Sequence, residues 1–316
     1  MLPRIKLAAV AAAAMLLSAG AASPADTTFV TLGTGSGPIP TLERAQPANL
    51  LIAGDQMILV DAGDGAAQQV GKAGAPFENI QSVFISHLHF DHTGGLFALL
   101  SRRFQVLAPA PVTIYGPPGT KATVDALVQA MLPAVEAAAN IRERSRMSPA
   151  ETVRVVELSD GWTGRIGDIT ITAASNSHYV LQGESDRRND TYAFRFDTPG
   201  RSIVYTGDTG PSAAVERLAT GADILFAEIM EPGGTLARLR ASRPDIPPAA
   251  LAAVARHYHA QHLSPTEVGL MARRAGVKAL VLTHIGMEDE EIPAARAAIA
   301  AHYSGPVTFA SDLDRF

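Results

Sequence analysis

Positions 87–92 carry three histidines and an aspartate, His87, His89, Asp91 and His92, within the stretch SHLHFDHTGG. Neutral imidazole and carboxylate are ligands of divalent first-row metals, zinc above all. His87 and His89 are two apart, so an extended backbone points them the same way. One ion could take that pair, and a second, close by, could take Asp91 and His92 as the chain turns through Gly94 and Gly95. Imidazoles crowded into a buried place without partners cost free energy, which argues for metal rather than an incidental polar cluster. Four ligands cannot fill two such sites and leave room for water. Further candidates stand where other apolar runs end: His178 after DITITAAS (168–175), Asp208 in YTGDT and His284 in LVLTH.

The elements that must position these groups read as alternating strands and helices. TTFVTLGTG (27–35), ANLLIAG (48–54) and MILVDAGDG (57–65) read as strands. SVFISH (82–87) has almost no polar interruption and reads as a strand buried on both faces. In the second half, strands are expected at 168–175, 191–198, 201–209, 222–229 and 277–285. Helices are expected over 66–74, over 120–146 with an interruption at Pro133, and over 293–303. Another, 264–276, opens on a Ser264/Glu267 capping box and stops at Gly276. Segment 240–251, with three prolines, reads as a surface loop. Two β-then-α halves in this order suit an α/β fold, a four-layer αββα sandwich. Functional groups at the carboxyl ends of buried strands sit where such sheets hold ligands.

The chain has 316 residues, 47% of them hydrophobic, enough for a substantial core. Its beginning has the order of a secretory signal: Arg4 and Lys6, an apolar run from Leu7 to Leu17, then small residues to Ala22. The expected division is a signal peptide over 1–22 and one catalytic domain over 23–316, placing the mature protein in the periplasm or outside the cell with no stable membrane anchor. No cysteine is present, so neither a disulfide nor a cysteine-linked lipid can hold it. Without Arg4 and Lys6, 24 basic residues face 31 acidic ones, a net charge of −7. That is a poor balance for gripping phosphate backbones.

The set HLHFDH, then His178, then GDT, then LTH resembles the metallo-β-lactamase superfamily over nearly all of the chain from Phe29 onward. TLGTGSG and LVDAGDG are similar to that family's opening strands. The resemblance implies that His87, His89 and His178 hold one zinc ion, that Asp91, His92 and His284 hold a second, and that Asp208 bridges them. A histidine at 89 favours zinc over the diiron pairing, with manganese and iron as the other ions the site would take. YHAQHLSPTEVGLMA (258–272) resembles the ribonuclease Z branch, which includes exported arylsulfatases. By that resemblance His262 assists catalysis, paired with Glu228 in FAEIM, where Ala227 replaces the branch's histidine.

Such a site implies hydrolysis. Two ions about 3.5–4 Å apart lower the pKa of a shared water from 15.7 toward about 7. Asp91 would orient that water, and His262 would protonate the leaving oxygen. The branch processes tRNA with a projecting arm rich in Gly and Pro, and 120–165 contains no such composition. With the export signal and the acidic balance, the expectation is therefore an exported dizinc hydrolase of small phosphodiesters or aryl sulfates. The expected substrate is a small molecule, with no nucleic acid partner, and homodimerisation is left open. The second reading is hydrolysis of β-lactams or lactones, and a reading of another class is a non-catalytic metal-binding module. His257 and His259 are expected at the surface, Trp162 in packing, and the basic run 142–146 on a solvated helix face.

Overall fold

The computed structural model describes residues 27–138, 147–180 and 190–316. The signal sequence expected over 1–22 and the basic run 142–146 lie outside the described residues. Two seven-stranded sheets face each other. The first runs in the order β14 (Asp314–Arg315), β1 (Thr27–Gly33), β2 (Ala48–Ala53), β3 (Gln56–Ala62), β4 (Ser82–Phe84), β5 (Val112–Gly116), β6 (Val153–Glu157). The second runs β13 (Val307–Phe309), β12 (Ala279–Gly286), β11 (Ile224–Met230), β10 (Ser202–Tyr205), β9 (Tyr192–Asp197), β8 (Ile169–Ser175), β7 (Thr163–Ile166). In each sheet an antiparallel half joins a parallel half, at β3 in the first and at β10 in the second.

The helices are α1 (Ala66–Lys72), α2 (Phe90–Thr93), α3 (Leu96–Gln105), α4 (Thr120–Ala137), α5 (Ala213–Leu218), α6 (Pro232–Ser242), α7 (Pro248–Gln261), α8 (Pro265–Ala275) and α9 (Ile292–Ala300). Val70 of α1, Leu99 and Phe104 of α3 and Val128 of α4 close over the outer face of the first sheet. Val215 of α5, Met271 of α8 and Ile299 of α9 do the same for the second. Between the sheets lie Phe29, Phe84, Phe194, Phe196, Tyr205 and Phe226, all buried. Burying each such ring contributes roughly 2–3 kcal/mol. Phe84 stacks on Tyr115 at 4.5 Å and meets Phe194 edge-on at 5.4 Å. Trp162 joins this layer beside Tyr115, as packing. The four layers are therefore the expected αββα sandwich.

Several local expectations change. Pro133 does not interrupt α4, which is continuous through it. Segment 240–251 is largely helical: α6 ends at Ser242 and α7 begins at Pro248. Proline is tolerated at the first helical position because its missing N–H would have no helical partner there. The strand expected over 82–87 pairs only over Ser82–Phe84. Helix α8 does start on the Ser264/Glu267 capping box and ends at Gly276 with φ +63°. Among the described residues no helix is long and apolar enough to cross a membrane.

Candidate metal centre

The expected ligands converge at one end of the sandwich, contributed by both sheets. His87 and His89 follow β4, Asp91 and His92 belong to α2, His178 follows β8, Asp208 follows β10 and His284 lies in β12. The donor atoms of His87, His89, His178 and Asp208 lie within 4.8 Å of one another. Those of Asp91, His92, Asp208 and His284 form a second set within the same span, so Asp208 belongs to both.

The separations suit shared ions. Two nitrogen donors on one tetrahedral zinc ion sit roughly 3.3 Å apart. His89 Nδ1 is 3.1 Å from His178 Nε2, and His92 Nε2 is 3.2 Å from Asp208 Oδ1. His284 Nε2 is 3.3 Å from Asp208 Oδ2 and 3.5 Å from Asp91 Oδ2. His87 Nε2, His92 Nε2, His284 Nε2 and Asp208 Oδ1 are buried with no hydrogen-bond partner among the described residues. Four orphaned polar atoms within these two donor sets would be costly unless ions satisfy them. The residues present therefore fit a divalent metal.

The outer nitrogens show how the inner ones are freed. Ser86 N and Oγ donate to Asp61, at 2.7 and 2.8 Å. Tyr205 donates its hydroxyl to the same carboxylate at 2.8 Å. His92 Nδ1 also donates to Asp61, at 2.8 Å, which leaves Nε2 a bare lone pair facing inward. Because the Ser86 hydroxyl proton goes to Asp61, Ser86 Oγ accepts from His87 Nδ1 at 3.0 Å, and His87 Nε2 is freed likewise. His178 Nδ1 donates to the Gln261 carbonyl at 2.9 Å. Asp61 was not singled out from the sequence. Its signal was a lone carboxylate inside the apolar run MILVDA.

Backbone irregularity aims two of these groups. The β2–β3 pairing steps from Asn49↔Val60 to Ala48↔Ala62, so Asp61 is an extra, bulged residue, and its φ is +59°. The β11–β12 pairing steps from Glu228↔Thr283 to Ile229↔Ile285, which makes His284 the bulged residue, with φ +46°. Bulges re-aim side chains, and left-handed non-glycine residues cluster at functional sites. Beside the ions' place, loop 36–44 lies on Asp91. A Cβ at Gly37 would stand 2.1 Å from Asp91 Oδ2.

Burial pushes the His178 imidazole down to about 3 and, helped by the charge of His92, holds His87 well below its ordinary value. Burial is the largest influence and opposes charge on His92 and His284, but Asp208 together with Asp61 for His92 and Asp91 for His284 outweighs it and raises both. Burial alone would raise Asp91, but the hydrogen bond from His284 and the charge of His92 hold it at about 2. Asp208 is likewise held low by His284 and His92 against its burial.

Glu228 and His262 also meet. Oε2 of Glu228 is 2.7 Å from His262 Nδ1, and both residues are buried. The backbone N–H of Thr209 donates to Oε1. His284 Nδ1 is 3.9 Å from Oε2, so the pair touches the ligand set. Burial and the charge of Asp208 push Glu228 well up, and burial lowers His262. His257 is half-buried rather than exposed: its Nε2 lies 3.4 Å from His262 Nε2, and its Nδ1 meets the Gln261 side chain. The sequence missed this because α7 was read as partly loop. His259 is exposed, as expected.

Comparison with known proteins agrees with this geometry. Residues 56–285 match the family model described as "Beta-lactamase superfamily domain", and the chain belongs to that family. It is 32% identical over 291 residues to "Ribonuclease Z" of Mycobacterium bovis, covering 90% of this chain and 95% of that protein. It is 31% identical to "Ribonuclease Z" of Mycobacterium marinum, covering 90% and 96%. Among solved structures, a metallo-beta-lactamase fold protein from Bacillus subtilis superposes with TM-score 0.67 at 20% identity, covering 92% and 98%. The short form of human tRNase Z superposes with TM-score 0.61 at 20% identity, over the same shares of the two chains.

The chain is thus a metal-dependent hydrolase that binds divalent metal, which removes the non-catalytic reading. The expected substrates are overturned. Relatives named as ribonucleases match this chain almost end to end, against the expectation of an exported aryl sulfate or small-phosphodiester hydrolase and its β-lactam or lactone alternative. The expected partners, a small-molecule substrate and no nucleic acid, fall with it. A net charge of −7, counted without Arg4 and Lys6, does not give the field at one site. Net charge bears on solubility and association rates and does not describe a particular cleft.

Proposed function

We propose that this chain is a dizinc ribonuclease that hydrolyses phosphodiester bonds of RNA. The observation that carries the reading is the buried Glu228–His262 pair, 2.7 Å apart, against two donor sets that share Asp208. His87, His89 and His178 would hold one zinc ion, Asp91, His92 and His284 the other, with Asp208 between them. The imidazole-rich donor set suits zinc. When bound, the ions supply an acidified water as nucleophile and Lewis acidity at phosphorus.

The chain's own residues do the rest. Asp91, ionised, orients the attacking water. His262 gives the Nε2 proton to the leaving ribose oxygen, and the proton on Glu228 moves to Nδ1 as it does so. A raised carboxyl beside a lowered imidazole suits this, since neither group needs to carry charge before the reaction. Acid assistance of this kind is worth about 10²–10⁴-fold in rate.

The test is cleavage of a labelled RNA carrying a 3′ extension by the zinc-loaded protein, beside Asp208→Ala and His262→Ala. Defined cleavage that falls in both variants supports the reading. A protein holding two ions per chain that leaves RNA intact refutes it. Export over residues 1–22 and a periplasmic or secreted location form a separate proposal. It rests on the signal-like order of Arg4, Lys6 and the apolar run, and cell fractionation decides it.

A further inference from the structure

A cleft of about 280 Å³ opens beside the metal centre, lined by Leu88, His89, Pro118, Tyr179 and Asp190. It is continuous with the site, because His89 lines the cleft and also presents Nδ1 to His178. Tyr179 packs its ring 5.1 Å from that of His89 and 5.3 Å from that of His178. The Tyr192 hydroxyl donates to Asp190 Oδ2 at 3.0 Å, which fixes the carboxylate at the cleft wall.

We infer that this cleft is a nucleobase subsite, taking the base next to the scissile phosphate and selecting one that carries an amine. The inference rests on the RNA reading above. Three features point to the occupant. Its walls are apolar or aromatic, and an aromatic ring provides a stacking surface for a base. Among the described residues its one carboxylate, Asp190, repels phosphate and accepts a hydrogen bond from an exocyclic amine, as a carboxylate does from the N4 amine of cytosine. Its shared wall with His89 places the base beside the ions' place, where the phosphate must lie. Cytosine, adenine and guanine offer such an amine, and uracil does not.

The experiment uses zinc-loaded full-length protein and oligoribonucleotides of one length. They differ only in cytosine or uracil at one or the other position flanking the cleaved bond. The wild type is expected to favour cytosine at one position by about tenfold in kcat/KM. Asp190→Ala should bring that ratio close to one. Because the ratio is taken within each protein, partial misfolding of the variant does not move it. Tyr179→Leu should raise KM about tenfold more than it lowers kcat, and Tyr179→Phe, which keeps the ring, should restore most of that loss. Cleavage of both RNAs at equal rates by the wild type, or a preference that survives Asp190→Ala, overturns the subsite and leaves the RNA reading intact. No cleavage of either RNA overturns the RNA reading, and the subsite falls with it.

Discussion

His92 Nδ1 lies 2.8 Å from the carboxylate of Asp61, and the same carboxylate receives the Ser86 hydroxyl that orients His87. One buried aspartate thus sets the tautomers of an imidazole in each donor set. Partners of this kind are worth about 10–100-fold in metal affinity when removed. Asp61→Asn keeps a side chain that tolerates left-handed backbone, and it should cost zinc affinity at both positions within that range. Asp61→Ala should also destabilise the fold by about 3 kcal/mol, since it strands buried donors on Ser86 and Tyr205. Zinc competition titration and denaturant unfolding separate the two effects.

The Glu228–His262 pair predicts a different pattern. His262→Ala should lower kcat by about 10²–10⁴ while both ions stay bound. Glu228→Gln should move the acidic side of the pH–rate profile as well as the rate, because the carboxyl proton is part of the relay. Metal content by elemental analysis, read beside kcat, is the check. Loss of zinc in step with activity would mean that the pair only supports the ligands.

Metal binding should tighten as pH rises. In the metal-free protein neighbouring carboxylates, Asp208 first, raise His92 and His284 above the ordinary imidazole value, so both take up a proton more readily than a free histidine as pH falls. Ligation needs both neutral, so the ion held by Asp91, His92 and His284 displaces protons from them, and its affinity gains about tenfold per pH unit for each proton displaced. Burial lowers His87 and His178, so they add less to this dependence. Zinc competition at pH 6 and pH 8 should show weaker binding at pH 6. A flat profile would contradict the assignment of His92 and His284 as ligands.

Gly37→Ala is expected to damage function far more than stability. The added methyl would meet Asp91 Oδ2 at 2.1 Å and Asp91 Cβ at 2.4 Å. Loop 36–44 is mostly exposed and can shift, but it then drags or uncovers a ligand. Activity should fall at least about tenfold while stability changes by about 1 kcal/mol or less, as for surface changes outside the core. Parallel melting and turnover measurements decide it.

Much of the site was legible because its ligands are strand-end residues. Apolar runs that stop at imidazole or carboxylate mark where a sheet delivers its side chains, and His87, His178, Asp208 and His284 all stand at such stops. The supporting groups were harder to see. Ser86 and Tyr205 are ordinary residues until folding brings them to Asp61, 25 and 144 positions away along the chain. His257 depends on α7, whose prolines read as loop although Pro248 opens the helix. The short, half-exposed strands β6 and β7 carry too little alternation to register as strands.

The two bulges at Asp61 and His284 set folding preference against chemistry. At φ +59° and +46° a glycine would relieve strain at each position, yet it would erase a ligand in one case and the ligands' organiser in the other. Selection for thermal resistance alone would drift toward glycine at both positions. The side chains at these two positions trade backbone ease for the reaction. In a library sorted first for folding and then for turnover, 61 and 284 should be the positions whose favoured residues disagree between the two rounds.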